Sequence, residues 1–242
     1  MLMILRFNRL MYVKAAMFSG LGLFLAWQFD GLARLAILLA VASTMFWMGS
    51  SLAASWWIYD HERIFELGWL DAALRKAPGE WLNLHAGLDE IDAVLRARYP
   101  SAAGRTLDIF DPNEVTEPSL QHARRMLHQP LTRQTNWRFL PAGNQSCDTV
   151  LLVLAAHEFR RAEARKRLFI EIQRVLRDSG RLVVVEHLRD PFNFAVFGPG
   201  AFHFLSRRRW VESTRPAGLV VLDEVRITPF VRAFVFGKQC AL

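Results

Sequence analysis

The ten residues Trp81 to Glu90, WLNLHAGLDE, set polar groups at intervals that suit a ligand-binding turn. A short, mostly apolar run, Trp81 to Leu84, stops at the small pair Ala86-Gly87, and the acidic pair Asp89-Glu90 follows. Strand, glycine turn and helix are the layout by which α/β folds bring backbone up to a nucleotide, because a residue without Cβ lets the chain approach closely. Of the alternating glycines that such a turn ordinarily carries, only Gly87 is present; His85 and Asp89 stand on either side of it. The stretch therefore reads as a damaged cofactor turn, a modified one, or none. Farther along, Asp108 and Asp111 lie at the end of a second apolar run, and His157 follows another. A histidine in that place either takes a proton, orients a substrate or is a hydrogen-bonded structural residue.

The elements that must hold these residues alternate. Strands are expected over Trp81–Leu84, Arg105–Phe110, Asn136–Leu140, Thr149–Leu154 and Arg181–Glu186, with helices over Asp89–Arg98, Pro118–His128 and Ala162–Leu176. Strands alternating with helices point to a parallel sheet covered on both faces. The end of the chain differs: GLVVLDEVRI and VRAFVFGK are joined through Thr228-Pro229-Phe230, too short for a crossover helix, so this pair is expected to run antiparallel.

The first sixty residues have another character. Leu35 to Tyr59 runs twenty-five residues without a charge, enough to cross a bilayer, with Trp56, Trp57 and Tyr59 at one end where amphipathic rings prefer the interface. Ala15 to Phe29 is a second candidate span, and Asp30 to Arg34 makes a tight connection. Neither stretch has a polar face. A cleaved signal peptide is the competing reading, but no small-x-small site follows at AWQFDG. The expectation is a transmembrane hairpin over 1–60, its helices packed through Ala15, Ser19, Gly20, Gly49 and Ser50, followed by a linking helix over 61–77 and a domain over 78–242. Basic residues flank both outer ends, which places the C-terminal domain in the cytoplasm and the protein in the inner, cytoplasmic membrane.

The totals suit this plan. At 242 residues the chain can bury a sizeable core, and a net charge of +7 with a pI near 10.1 fits either an anionic membrane or nucleic acid. The two cysteines, Cys147 and Cys240, form neither a disulfide framework nor a zinc site, and no metal is expected.

The segment Cys147 to His187, CDTVLLVLAAHEFRRAEARKRLFIEIQRVLRDSGRLVVVEH, resembles methyltransferases of the quinone-biosynthesis type. The matching positions are Asp148, His157, Glu171, Arg174-Val175-Leu176 and Asp178-Ser179-Gly180, the last replacing Pro-Gly-Gly. LPAG (Leu140 to Gly143) and TLDIFDP (Thr106 to Pro112) extend the similarity upstream, so that it covers about residues 78 to 238. The resemblance implies the class I S-adenosylmethionine-dependent methyltransferase fold. That is a Rossmann-like, seven-stranded sheet of five parallel strands plus a C-terminal antiparallel hairpin, here preceded by two transmembrane helices.

It also implies S-adenosylmethionine as cofactor, bordered by Asn83, His85, Gly87 and Asp89 at the methionine end. Asp111, rather than Asp108, would accept the ribose hydroxyls, and Asn136 and Leu140 would meet the adenine. Here Asn83 replaces an acid and His85 and Asp89 replace glycines, while Asp89 or Glu90 can return negative charge from across the turn. Asp148 more simply orders backbone at the start of its strand. His157 is the candidate catalytic residue, facing an acceptor held by the insertion LRDPFNFAVFGPGAFHFLSRRRW, with five phenylalanines and an arginine triplet. That insertion is either a capping loop or a surface for an anionic leaflet. The expected partners are the lipid bilayer and a lipophilic small-molecule acceptor. Nucleic acid is not expected, the oligomeric state stays open, and an inactive scaffold of the same fold is the main rival.

Overall fold

The computed structural model describes residues 9–61, 64–115, 120, 121, 124 and 134–239. The domain is built on six strands: β1 (Glu80–His85), β2 (Ala103–Asp108), β3 (Cys147–Val153), β4 (Leu176–His187), β5 (Leu219–Arg226) and β6 (Val231–Lys238), in the order β2-β1-β3-β4-β6-β5. The first four run parallel, and β6 is antiparallel to both β4 and β5, as the short link between the last two requires. Thr228 Oγ1 closes that link by accepting from the amides of Phe230 and Val231, both at 3.0 Å.

Alternate residues of each strand enter two cores. Leu82, Leu84, Val150, Leu152, Leu182 and Val184 pack on Leu168, Phe169 and Ile172 of α5 (Ala162–Val175). On the other face Trp81, Leu151, Val183 and Val185 meet Leu95 of α4 (Asp92–Arg98) and Ile58, Ile64, Leu67 and Leu70. Ile58 belongs to a π turn (Trp57–His61) at the end of the expected span, whereas Ile64, Leu67 and Leu70 fall in the segment 61–77 expected as a linking helix. Its described residues hold instead a 3-10 turn (Ile64–Glu66) and the five-residue α3 (Leu70–Leu74), each short because the chain bends to lay apolar side chains on the sheet.

The sheet has one strand fewer than expected among the described residues. Asn136–Leu140 is not a strand: only Gln134 bridges to the edge, at Asp108. The Asn136 carbonyl and side chain accept from the amides of Phe139 and Arg138, both at 3.0 Å, which turns the chain. Glu171 and Arg174 of α5 then hold the Leu140 amide and carbonyl, at 2.6 and 3.1 Å, away from the edge. The helix expected over Pro118–His128 lies outside the described residues except for Leu120, Gln121 and Arg124, and Cys240 lies outside them altogether.

At the N-terminus α1 (Arg9–Gln28) and α2 (Gly31–Trp56) form a helical pair. Among the described residues one segment, Gly31–Glu66, is long and apolar enough to cross a membrane, against the two spans expected. In α1 the charge of Lys14 and the polar Ser19 and Gln28 dilute the apolar run. Of the small residues expected between the helices, Ser19 is buried, Gly20 and Gly49 have nothing packed on them, and Ser50 turns elsewhere.

The insertion after β4 forms α6 (Pro191–Phe197), a 3-10 turn (Gly198–His203) and α7 (Arg207–Thr214). Asp190 and Ser206 start the two helices by accepting from the amides of Asn193 at 2.9 Å and Arg209 at 3.3 Å, and Pro191 fits the first turn of α6, where no amide partner is lost.

Candidate active site

Ligands of open α/β sheets bind beyond the carboxyl ends of the strands, and the polar residues gather there. The β1 side of this edge is internally paired. Asn83 is buried and donates to Asp89 Oδ1 at 3.0 Å and to Thr106 Oγ1 at 3.3 Å. Asp89 Oδ1 also accepts from the amides of Ile91 and Asp92, at 3.3 and 3.2 Å, so its carboxylate opens α4. His85, the last residue of β1, is buried opposite Asp108, and burial lowers its pKa. Gly87 is packed tightly, since a Cβ there would lie 2.5 Å from Leu120. Glu90, the next acid, is exposed to solvent. Crowding by the protein, with the charge of Asp89 added, raises its pKa to about 7.

The acid at the end of β2 is Asp108, not Asp111. Asp108 pairs in register with His85 and is buried, accepting from the Phe110 amide at 3.0 Å and from Arg124 at 2.7 Å. Arg124 also donates to the Gly87 carbonyl at 3.0 Å, which ties the β1 turn to the β2 end. Asp111 lies in the following turn, where it accepts from Trp137 Nε1 at 2.9 Å, the Asn113 amide at 3.0 Å and Arg138 at 3.2 Å. Burial works to raise its pKa, but these donors prevail and lower it. Asn136 is spent on its own turn, and Leu140 is fully buried in the core, so a contact with a bound adenine is closed to its side chain.

On the β3 side, His157 follows the strand in a 3-10 turn. Its Nδ1 lies 2.8 Å from Glu186 Oε2 at the end of β4, its amide donates to Glu186 Oε1 at 3.0 Å, and its Nε2 lies 3.1 Å from Glu158. Desolvation opposes protonation here, but the charge of Glu186 and the hydrogen bonds to both carboxylates win and push the pKa up to about 10. The neighbouring His187 has the reverse environment. It stacks on Phe204 at 4.8 Å between centroids and meets Tyr59 Oη at 3.1 Å, and desolvation together with the charge of His157 lowers its pKa to about 4.

The sequence reading thus brings Asn83 and Asp89 into contact, links Gly87 to Asp108, and leaves Asp111 and Asn136 in turns beyond the sheet edge. It missed Glu186 and Arg124 as partners. VVVEH, an acid closing an apolar strand, was the available signal for Glu186, whereas nothing local marked Arg124. Asp148 does order backbone, accepting from the amides of Gly79 at 3.0 Å and Glu80 at 2.8 Å.

Residues 106–184 match the family model described as a methyltransferase domain. No curated protein matches. Among solved structures, human N-acetylserotonin methyltransferase in complex with S-adenosylmethionine aligns with a TM-score of 0.58 at 11% identity, over 98% of this chain and 70% of that one. A protein from Pyrococcus horikoshii OT3 aligns at 0.54 with 14% identity, over 73% and 90%. The pyocyanin biosynthetic protein PhzM aligns at 0.53 with 18% identity over 72% of this chain, which spans about half of PhzM's length, 54%.

The cofactor of this fold is S-adenosylmethionine, and the residues present fit it. Asp108 is an acid at the β2 end, where it could accept a ribose diol, Gly87 is a residue without Cβ in the turn after β1, and the exposed carboxylate of Glu90 could face a cation. Sheet topology and matched segment agree: the chain has the Rossmann-like fold of class I S-adenosylmethionine-dependent methyltransferases, and its residues 106–184 match the methyltransferase-domain model.

Proposed function

We propose that the protein is a membrane-anchored methyltransferase acting on a lipophilic small molecule. The observation that carries the proposal is the meeting of His157, Glu158 and Glu186 at the same sheet edge as Gly87, Glu90 and Asp108. The cofactor supplies an electrophilic methyl group; the protein has only to align a nucleophile and exclude water. Asp108 would hold the diol once Arg124 shifts its hydrogen bond, and the Gly87 turn would border the cofactor once Leu120 gives way. His157 is an imidazolium near neutrality whose two N–H groups are taken by Glu186 and Glu158, so it would donate to the acceptor from Nε2 once Glu158 turns aside, with Glu186 holding the ring. Glu90 is half ionised near pH 7 and accepts the proton that the acceptor loses. An edge this rich in carboxylates disfavours anionic acceptors and suits neutral hydroxyl or amino compounds.

Support for the membrane comes from Gly31–Glu66, whose most apolar window holds no buried residue. A core helix of a soluble protein would be covered. Trp27, Leu32, Phe46, Trp56 and Trp57 are all exposed, an area far beyond the usual apolar patch. The finer assignments, an inner cytoplasmic membrane and a quinone-like or polyprenyl acceptor, belong to this proposal.

A second reading has its own observation. Arg124 occupies Asp108 and Leu120 covers Gly87, as they would in a fold that has given up its cofactor and serves as a scaffold. Calorimetric titration of the detergent-solubilised protein with S-adenosylhomocysteine separates the two. Micromolar affinity is expected; no heat up to millimolar ligand would leave only the scaffold.

A further inference from the structure

The exposed apolar surface does not end with the N-terminal helices. Ser50 lies nineteen residues beyond Gly31 in α2, about 28 Å along the axis at 1.5 Å per residue, close to the thickness of a hydrocarbon core. At that level α2 grips the insertion. Ser50 Oγ donates to the Val196 carbonyl of α6 at 2.7 Å, and Trp47 packs so closely on Gly198 that a Cβ there would lie 2.5 Å from its ring. Trp56 and Trp57, one to two turns farther on, then fall at the headgroups, where such rings prefer to sit. If α2 spans the bilayer, α6 is held at the boundary between acyl chains and headgroups.

The insertion is made for that level. Phe192 and Phe202 are 53% and 62% exposed, although neighbouring Phe194 and Phe204 are partly covered. Each exposed ring carries a guanidinium: Arg226 stands 5.0 Å over Phe192 and Arg189 stands 5.8 Å over Phe202. Rings that enter the acyl boundary, with cations just above them at the phosphates, are the chemistry of an interfacial element on an anionic leaflet. The arginine triplet contributes less than its charge suggests, since Arg207 pairs with Glu224 and Arg208 with Glu212.

We propose that the insertion from Pro191 to His203 is a second, monotopic membrane element, seated in the same leaflet as the end of α2 and facing anionic phospholipid headgroups. It rests on the reading of α2 as a span. The inner side of the insertion reaches the site: Phe197 and Phe204 lie 5.6 and 4.8 Å from the His187 ring, next to Glu186. An acceptor dissolved in the bilayer therefore reaches the β4 end along aromatic side chains without crossing water, which narrows the substrate class to molecules that reside in the leaflet.

The test uses the full chain in nanodiscs containing anionic lipid, in a Cys240→Ser background, with the buried Cys147 retained. Single cysteines replacing Phe192, Phe202, Ala42 and Ser101 are labelled in turn with a bimane. Labels at 192 and 202 are expected to be quenched at least twofold by shallow brominated lipids and shielded from aqueous iodide. The label at 42 should respond to deeply brominated lipids, and that at 101, beyond the opposite end of the sheet, to iodide alone. Iodide quenching at 192 and 202 with lipid quenching at 42 would overturn the inference and leave the anchor. Shielding at 192 and 202 without lipid quenching, growing with protein density in the disc, would assign the face to a second copy and overturn it as well. Absence of lipid quenching at 42 would remove the anchor reading and this inference with it.

Discussion

The two halves of the sheet's carboxyl edge solve opposite problems. Around β1 and β2, polar side chains satisfy one another: Asn83 with Asp89, Asp89 with two amides, Asp108 with Arg124. Around β3 and β4, charge is concentrated on a histidine between two carboxylates, and a second histidine a few ångströms away is kept neutral by burial. The first half is a holder whose groups must exchange partners before they bind anything. The second is already polarised. The difference predicts that substitutions in the first half act on cofactor affinity or stability, and those in the second on proton balance.

The largest effect on binding should come from Asp108. A charged hydrogen-bond acceptor is worth about 1.5–3 kcal/mol per bond, so Asp108→Asn is expected to weaken S-adenosylhomocysteine binding roughly 10- to 100-fold. Asp111→Asn, whose carboxylate serves Trp137 and Asn113 in a turn, should stay within about twofold, because no cofactor bond is lost. Isothermal titration of both variants decides the matter, and equal losses would erase the distinction between strand end and turn.

Next is Glu186→Gln, which removes the main charge holding the proton on His157. The imidazole pKa, followed by NMR, should fall from about 10 toward the ordinary 6.5. The sign of the stability effect follows. A raised histidine pKa contributes stability that is fully present below 6.5 and lost as pH rises through about 10, so denaturant midpoints of the wild type should decline over that window. His187 runs the other way, losing stability as pH falls from 6.5 through about 4. The variant should keep the acid limb and lose the alkaline one. An unchanged alkaline limb would show that Glu158 alone holds the proton.

Glu90→Gln has a kinetic signature. With the carboxylate pKa at about 7, methyl transfer should rise with pH through that value and level off above it. The glutamine variant should lose the inflection, with a rate at pH 8 reduced about a hundredfold, the low end of what a positioned base contributes. A retained inflection would move the base to another group.

Much of this edge was legible before any coordinates. The run from Cys147 to His187 alternates and repeats cleanly, because strand, helix and strand there are each long enough for periodicity to show, and the C-terminal hairpin follows from the length of its link. The failures share a cause: they depend on contacts distant in sequence. Where β2 ends is set by pairing with β1, so the eye slides from Asp108 to Asp111. Asn136–Leu140 has a strand's composition, but Glu171 and Arg174, some thirty residues on, pull Leu140 off the edge. The linking helix broke for the same reason, as Ile64, Leu67 and Leu70 are claimed by the sheet.

The smallest effect separates the two roles of one residue. Asp89 stands where a glycine would flank the cofactor, yet its Oδ1 accepts from Asn83 and from the first amides of α4. If it is a helix-opening residue, Asp89→Ser keeps an oxygen in reach of those amides and should cost only a few tenths of a kcal/mol, whereas Asp89→Ala should cost about 1 kcal/mol. S-adenosylhomocysteine affinity should stay within about twofold in the serine variant, because a carboxylate turned inward toward Asn83 has little left for a ligand. Urea denaturation and titration on the same preparations give both numbers. A serine variant that is stable but binds tenfold more weakly would make Asp89 a cofactor residue of the holder half and not merely the opener of its helix.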